Sequence, residues 1–318
     1  MFRSFEIENF RGFGKLSLDD VGGVNLVVGK NNTGKTSLLE AITLLGNPST
    51  IGRLPGLFRA QAGVLDERFY RWLLKDGAGS AGASLSASSE EPEARRVVLT
   101  SASWGDLTGR APDLRLVKEV EGLTALCSTQ LKELPVHAVS VQHQGPESMV
   151  DAFAEAVRSP VDERQLESLL ASVDPRIKSV RLDAVQSKPF IVVDVGLSAR
   201  VPLSQAGQGV YRLVDIFSEL LGNKPKICFI DEIENGIHYS ALAQVWNGLA
   251  EVAERLAIQI FATTHSWECL VAAHEAFARR STYDLRVIQL YRLADGTSGR
   301  VLDRTHIEAA IAGEIEVR

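Results

Sequence analysis

Gly29-Lys30-Asn31-Asn32-Thr33-Gly34-Lys35-Thr36 has the spacing G-x-x-x-x-G-K-[ST], a pattern suited to wrapping a chain of phosphates. The glycines let successive backbone N–H groups converge on one anion, the lysine adds positive charge, and the threonine hydroxyl is an oxygen ligand for a hard cation such as Mg²⁺. Asn31, Asn32, Thr33, Gly34, Lys35, Thr36 and Ser37 are therefore the residues expected to face phosphate. A second group is Ile227-Cys228-Phe229-Ile230-Asp231-Glu232, an apolar run that stops abruptly in two carboxylates. Asp231 suits the metal, usually through water, and Glu232, one residue further on, suits orienting and activating an attacking water. Thr263-Thr264-His265-Ser266 supplies an imidazole that can hydrogen-bond a terminal phosphate, although a histidine beside a helix-capping serine also reads as purely structural. Ser204-Gln205-Ala206-Gly207-Gln208-Gly209 is a polar turn ahead of a helix, either a second anion site or an ordinary cap.

The elements around these groups are legible from periodicity. Val24 to Val28 reads as a buried strand and Ser37 to Leu45 as a helix, so strand, loop and helix place phosphate on a positive helix N-terminus. Ahead of them, Phe2 to Ile7 and Lys15 to Leu18 alternate as strands around the turn Glu8-Asn9-Phe10-Arg11-Gly12-Phe13. Phe69 to Leu74 has the look of a short helix. Asp76 to Glu93, dominated by Gly, Ala, Ser and Glu, reads as a flexible loop with room for an exposed strand at Ala83 to Ala87. Short alternating runs at Arg96–Leu99, Asp113–Val117, Leu123–Leu126 and Val136–Val141 predict an antiparallel meander, a separate β lobe after the first helix. Helices follow at about Glu147 to Arg158 and Val161 to Ser172, then strands at Ile177–Leu182, Pro189–Val195 and Arg200–Leu203. From Ser204 the chain alternates helices (Val210–Leu221, Tyr239–Leu256, Ser266–Arg280) with strands (Lys226–Ile230, Ile258–Ala262, Leu285–Leu290), the signature of a mostly parallel sheet. In such a sheet ligands collect at the carboxyl ends of strands, which is where Asp231 and Glu232 would emerge.

Composition narrows the class. The chain has 318 residues, 45% hydrophobic and 23% charged, as ordinary globular domains do. Thirty-four basic against forty acidic side chains leave a formal charge of −6, so no global basic field draws it to nucleic acid or anionic lipid. Cys127, Cys228 and Cys269 are scattered and odd in number, matching neither a disulfide framework nor a metal cluster, and point to a reducing cytoplasm. No apolar run approaches a membrane span, and the first residues lack the continuous apolar core of a signal peptide.

The order of phosphate loop, Ser204-to-Gly209 turn, acidic strand and Thr263-Thr264-His265-Ser266 resembles that of ABC-type ATPases. The likeness is to the branch with RecF, structural-maintenance-of-chromosomes (SMC) proteins and the overcoming-lysogenization-defect (OLD) ATPases, whose openings are also similar to Asn9-Phe10-Arg11-Gly12-Phe13. It covers Phe2 to Thr43 and Leu203 to Ser266, and no motif between Thr50 and Arg200. What the resemblance implies is an α/β fold, an ABC-type P-loop core with a mostly parallel sheet formed by residues 1–50 and 200–318, with an N-terminal antiparallel portion and an inserted β/α lobe at 51–199. It implies an ATPase with ATP and Mg as cofactors: Lys35 and its loop on the β and γ phosphates, Thr36 and Asp231 on Mg, Glu232 as catalytic carboxylate and His265 as γ-phosphate switch. Ser204, Gly207 and Gly209 become the signature that completes a partner's site. One nucleotide has one phosphate tail, so a second phosphate site fits a head-to-tail homodimer or higher homo-oligomer. Arg11 is either a nucleotide contact from the opening turn or an exposed turn arginine, and Glu234-Asn235-Gly236 falls where the family has its dimer-contacting loop.

Departures from the family qualify this picture. The signature has one residue more than the compact form before its glutamine. The glutamine that links metal to the inserted lobe is not assigned among Gln61, Gln142 and Gln144. Neither a coiled coil nor a Toprim-type nuclease domain follows the core, so the expected role is a cytoplasmic anti-phage defence ATPase that controls a separate, nuclease-like effector. The alternative is a RecF-like clamp on DNA in recombination or repair, using local basic groups such as Arg95, Arg96, Arg279, Arg280 and Arg286.

Overall fold

The computed structural model describes residues 1–58, 70, 72–75, 82–90, 95–107, 112–120, 122–139, 145–293 and 296–313. Its strands are β1 (Phe2–Phe10), β2 (Phe13–Asp19), β3 (Val24–Val28), β4 (Ala83–Ser89), β5 (Arg95–Thr100), β6 (Leu114–Val120), β7 (Leu123–Ser128), β8 (Val136–Val139), β9 (Ser179–Val185), β10 (Lys188–Asp194), β11 (Val201–Pro202), β12 (Ile227–Ile230), β13 (Gln259–Thr263), β14 (Leu285–Leu293) and β15 (Gly296–Leu302). The longer helices are α1 (Lys35–Gly46), α2 (Gly145–Ala156), α3 (Pro160–Val173), α4 (Gln208–Asn223), α5 (Leu242–Leu256), α6 (Trp267–Ala278) and α7 (Arg304–Ala312). By packing, the chain divides into one unit of Met1–Val136 with Leu285–Arg318 and a second of His137–Asp284.

In the first unit β2-β1-β4-β5-β7-β6 form one antiparallel sheet. Alternation decides which face is inside: Phe5, Ile7, Leu85, Ala87, Val97 and Leu99 are all buried, each two residues from the next along its strand. The expected meander strands β5, β6 and β7 are therefore not set apart, because β5 pairs with β4 and β4 pairs along β1 from Phe2↔Ser89 to Glu8↔Ser84. Segment Ala83–Ala87, expected as an exposed strand, is an interior one with Ala83, Leu85 and Ala87 buried. Against this sheet lies α1, and the buried Arg95 of β5 donates from Nε to Leu45 O at 2.9 Å and from Nη2 to Gly46 O at 3.0 Å. Those are carbonyls of the last turn of α1, so a cation sits at the negative end of that helix. The same unit holds β14 paired parallel with β3 and antiparallel with β15. Neither β15 nor α7 was anticipated from sequence.

The second unit contains the parallel pair β12 and β13, in register from Ile227↔Gln259 to Ile230↔Ala262. Their side chains Cys228, Phe229, Ile230, Ile260, Phe261 and Ala262 are all buried, as strands covered on both faces require. The run at Val136–Val139 does not join the meander: β8 lies next to β12 in strand order, and its Val139 O accepts the Asp231 N–H at 3.0 Å. Helix α4 packs on α2 so closely that a Cβ on Gly222 would lie 2.2 Å from Ala152 O. A small antiparallel sheet, β11-β10-β9, completes the unit. The three cysteines are free thiols, all buried, and burial pushes Cys269 up to about 12. Among the described residues no helix is long and apolar enough to cross a membrane.

Candidate functional site: a phosphate loop and an acidic strand end

In the first unit, buried β3 delivers the chain to Gly29, whose φ is 150°. A side chain there would strike Leu290 O at 2.5 Å and Thr33 Oγ1 at 2.7 Å, so only glycine fits. Gly34 has φ 93° and lies against the Phe13 ring, which a Cβ would meet at 3.0 Å. It is the N-cap residue of α1, and no side chain caps the helix. The first N–H groups of α1 are thus left pointing outward, the arrangement that accepts an anion. Lys35 is buried and its Nζ donates to Gly29 O at 2.7 Å and Lys30 O at 3.1 Å, which holds the ammonium across the mouth of the loop. Thr33 Oγ1 donates to Lys30 O at 2.9 Å and closes the turn. Asn31 and Asn32 are exposed, Thr36 is half-buried and Ser37 is buried.

Arg11 is neither a solvated turn residue nor open to solvent. Its Nε donates to Glu40 Oε2 at 2.9 Å and its Nη2 to Glu40 Oε1 at 3.0 Å, a two-pronged bond onto α1, while Nη1 reaches Trp72 O at 3.2 Å. Sequence reasoning missed Glu40, which lies on the buried face of α1 and has no signal of its own. Gln61, Gln142 and Gln144 lie outside the described residues, as do Phe69 and Arg71 of the short helix expected at Phe69 to Leu74; of the rest, Trp72 and Leu73 form a turn and Leu74 bridges to Phe10, so that stretch is not helical.

In the second unit Asp231 and Glu232 emerge directly after β12. Thr263 Oγ1 donates to Asp231 Oδ1 at 2.6 Å and accepts the Glu232 N–H at 2.8 Å. Glu232 has φ 45°, a left-handed conformation that a non-glycine residue adopts at a cost. His265 is half-buried and its backbone N–H donates to Glu234 Oε1 at 2.8 Å; Ser266 caps α6 by accepting from Cys269 N at 3.0 Å. The switch candidate and the start of the dimer-contact candidate Glu234-Asn235-Gly236 are therefore hydrogen-bonded neighbours.

The stretch expected as the signature opens with a short 3-10 turn at Leu203–Gln205. Helix α4 then starts at Gln208, with Gly207 (φ 99°) as an N-cap that makes no side-chain cap bond. Ser204, Gly207, Gln208, Tyr211, Arg212, Asn235 and Gly236 line a cavity of about 370 Å³. Gly209 packs so tightly on the neighbouring loop that a Cβ would lie 2.8 Å from Gly236 O. Beneath the cavity, Arg212 is buried and donates from Nη2 to Asp231 O at 2.6 Å and from Nη1 to Asp215 Oδ2 at 3.4 Å. Burial lowers the Arg212 pKa, opposed by Asp215. Burial likewise raises Asp215 to about 6, against the pull of Arg212 and with help from Glu219. Arg212, Asp215 and Glu219 were missed, although their i, i+3, i+7 spacing on a helix that otherwise buries Val210, Leu213, Val214 and Phe217 was a usable signal.

The basic groups considered for DNA are engaged nearby. Arg95 caps α1, Arg96 faces Asp113, Arg279 faces Glu275, Arg280 bonds Glu254 and Arg286 pairs with Asp20 at 3.0 Å.

Comparison with known proteins agrees with this geometry. Residues 1–78 match the family model "AAA ATPase domain", and residues 130–270 match "AAA domain, putative AbiEii toxin, Type IV TA system". The chain is 27% identical over 123 residues to an ATP/GTP phosphatase of Helicobacter pylori, covering 38% of this chain and 33% of that protein. It is 49% identical over 43 residues to the DNA replication and repair protein RecF of Clostridioides difficile, covering 14% and 12%. It thus spans about a third or less of the length of these curated relatives. Among solved structures, an SMC head bound to the C-terminal winged-helix domain of ScpA aligns with TM-score 0.61 at 12% identity over 98% of this chain and 99% of that one. The SMC head of Thermotoga maritima aligns with TM-score 0.51 at 14% identity over 95% and 98%. The fold is that of SMC head ATPase domains, and fold and motifs agree with an ABC-type P-loop ATPase of the RecF and SMC branch.

Proposed function

We propose that this chain, an ABC-type P-loop ATPase domain of the RecF and SMC branch, is an ATP-driven switch that closes as a head-to-tail dimer over two Mg-ATP and reopens on hydrolysis. The observation that carries the nucleotide site of this reading is the uncapped, glycine-shaped N-terminus of α1 with Lys35 across its mouth, an arrangement suited to a nucleotide's phosphates. The proposal keeps residues 1–50 and 200–318 in the ATPase core and adds β4 and β5 to it from the expected lobe 51–199, because they share a sheet with β1 and β2.

In this mechanism the loop N–H groups from Asn31 to Ser37 hold the phosphate oxygens and Lys35 moves from its carbonyl partners to the β and γ phosphates. The resemblance points to two oxygen ligands for Mg²⁺, the hydroxyl of Thr36 and the carboxylate of Asp231, whose Oδ1 accepts from Thr263; each would suit a hard cation that keeps several waters. Mg²⁺ would neutralise charge on the phosphates as the transferred group develops it. Glu232 takes a proton from the attacking water, and His265 hydrogen-bonds the terminal phosphate. Ser204, Gly207 and Gly209, at the second uncapped helix start, face a nucleotide held by the partner copy.

In the same proposal the switch acts in the cytoplasm in antiviral defence and controls a separate nuclease-like effector; the type IV toxin–antitoxin wording of the matching family description bears on the ATPase domain and not on that effector. The match to RecF over 43 residues favours a second reading, an ATP-gated clamp on DNA. The engaged arginines count against it. Phosphate release by the wild type, Lys35→Ala and Glu232→Gln, with ATP and with GTP, tests the first reading: both variants should lose turnover, and Glu232→Gln should keep nucleotide affinity. Equal turnover in all three chains would overturn it. A DNA titration with and without ATP at several salt concentrations separates the readings, since only a clamp predicts ATP-dependent, salt-sensitive binding.

A further inference from the structure

We propose that Arg212 is a positioning residue that holds the Asp231–Glu232 peptide in place and joins it mechanically to the signature turn. The inference rests on Glu232 being the group that activates water. The peptide plane between Asp231 and Glu232 is gripped at both edges. Its carbonyl accepts from Arg212 Nη2 at 2.6 Å, and its N–H donates to Thr263 Oγ1 at 2.8 Å. Thr263 in turn donates to Asp231 Oδ1 at 2.6 Å. The plane leads into Glu232 at φ 45°, a conformation that persists only where the surroundings enforce it.

Burying a guanidinium is expensive unless its partners require it. Arg212 is 4% exposed, and a methionine of similar length would fill the same space without the charge. Beside its ion pair with Asp215 at 3.4 Å, what the arginine adds is the 2.6 Å bond to a main-chain carbonyl between the candidate metal ligand and the candidate base. Without it the plane is held at its N–H edge alone, by Thr263, so Glu232 can relax toward negative φ and its carboxylate leaves the position set for water.

The other end of the argument is the cavity. Arg212 stands one helical turn beyond Gln208 and shares with Ser204, Gly207, Gln208, Asn235 and Gly236 the lining of the same 370 Å³ space. Beside it, Gly209 packs so close to the loop that a Cβ there would lie 2.8 Å from Gly236 O. A group that enters this space shifts the first turn of α4, and Arg212 passes that shift to the Glu232 peptide in the same chain. Occupation of the signature thus sets the readiness of the acidic strand end within one protomer.

The test is steady-state ATP hydrolysis and equilibrium binding of a fluorescent ATP analogue by Arg212→Met, Arg212→Lys, Thr263→Val and Glu232→Gln, with the double variant Arg212→Met/Glu232→Gln. Arg212→Met should lower kcat about 30-fold or more, a loss in keeping with a small displacement of a reacting group, with analogue affinity within about threefold of wild type. Arg212→Lys should restore part of kcat, Thr263→Val should show a similar kcat loss, and the double variant should be no slower than Glu232→Gln alone, because both changes act through one group. Should Arg212→Met not fold, the Lys and Val variants carry the same comparison. Full kcat in Arg212→Met while Glu232→Gln is inactive would overturn the clamp alone, as would equal losses of kcat and analogue affinity. Undiminished kcat in Glu232→Gln would instead overturn the assignment on which the clamp rests.

Discussion

Replacing Arg11 by alanine separates a structural arginine from a nucleotide contact. The guanidinium makes two parallel bonds to Glu40, with the arginine side chain 10% exposed and the glutamate side chain 0%. Arg11→Ala leaves that carboxylate buried without its cation, which costs about 3–5 kcal/mol in comparable buried pairs. Two refinements follow from the geometry. Arg11 has φ 54°, so Arg11→Gly relieves a left-handed backbone worth about 1 kcal/mol and should be that much less destabilised than the alanine variant. Adding Glu40→Gln removes the stranded charge, so Arg11→Ala/Glu40→Gln should lose less than the sum of its single changes, by about 2 kcal/mol. Urea denaturation followed by circular dichroism gives all four stabilities, and titration of an ATP analogue gives the affinities. An Arg11→Ala chain that unfolds at the wild-type urea midpoint while its nucleotide affinity falls tenfold would refute this reasoning and return the guanidinium to the nucleotide.

Three further outcomes are expected. Asp215, raised to about 6 from 3.8, holds its proton in the folded state while the unfolded chain releases it, so its contribution to stability falls as pH rises from about 4 to about 6. The stability of wild type relative to Asp215→Asn should therefore drop by about 3 kcal/mol across that window, and a pH-independent difference in urea denaturation would contradict the shift. Gly222→Ala should destabilise by about 2 kcal/mol, because the 2.2 Å approach to Ala152 O outweighs the roughly 1 kcal/mol alanine gains in a helix; a raised thermal midpoint would count against that packing. Arg95→Met should cost about 3 kcal/mol through the charged bonds lost at the end of α1, and a loss below about 1 kcal/mol in the same assay would show that water replaces them.

What could be read in the sequence was what is local. The phosphate loop needs its glycines and lysine at fixed offsets whatever surrounds it, and the acidic strand end announces itself by the abrupt change from Ile230 to Asp231. Strand partners were not legible: Val136–Val139 alternates like its neighbours, and only packing places it beside β12. β15 escaped because Gly-Thr-Ser-Gly at its start carries no alternating apolar signal. Arg11 with Glu40, and Arg212 with Asp231, are pairs far apart in sequence whose meaning appears only when the elements pack. Thr263 was seen as part of a histidine motif, while its bonds to Asp231 and Glu232 depend on β12 and β13 lying in parallel register.

The central claim is a nucleotide-closed dimer, and the most direct measurement is the mass of the Glu232→Gln chain in solution, by light scattering after size exclusion, with Mg-ATP and with Mg-ADP. The account predicts a dimer in ATP and a monomer in ADP, with Ser204→Arg abolishing the dimer. A Glu232→Gln chain that binds ATP yet stays monomeric at every concentration, beside a wild type whose turnover per chain is independent of concentration, would contradict it.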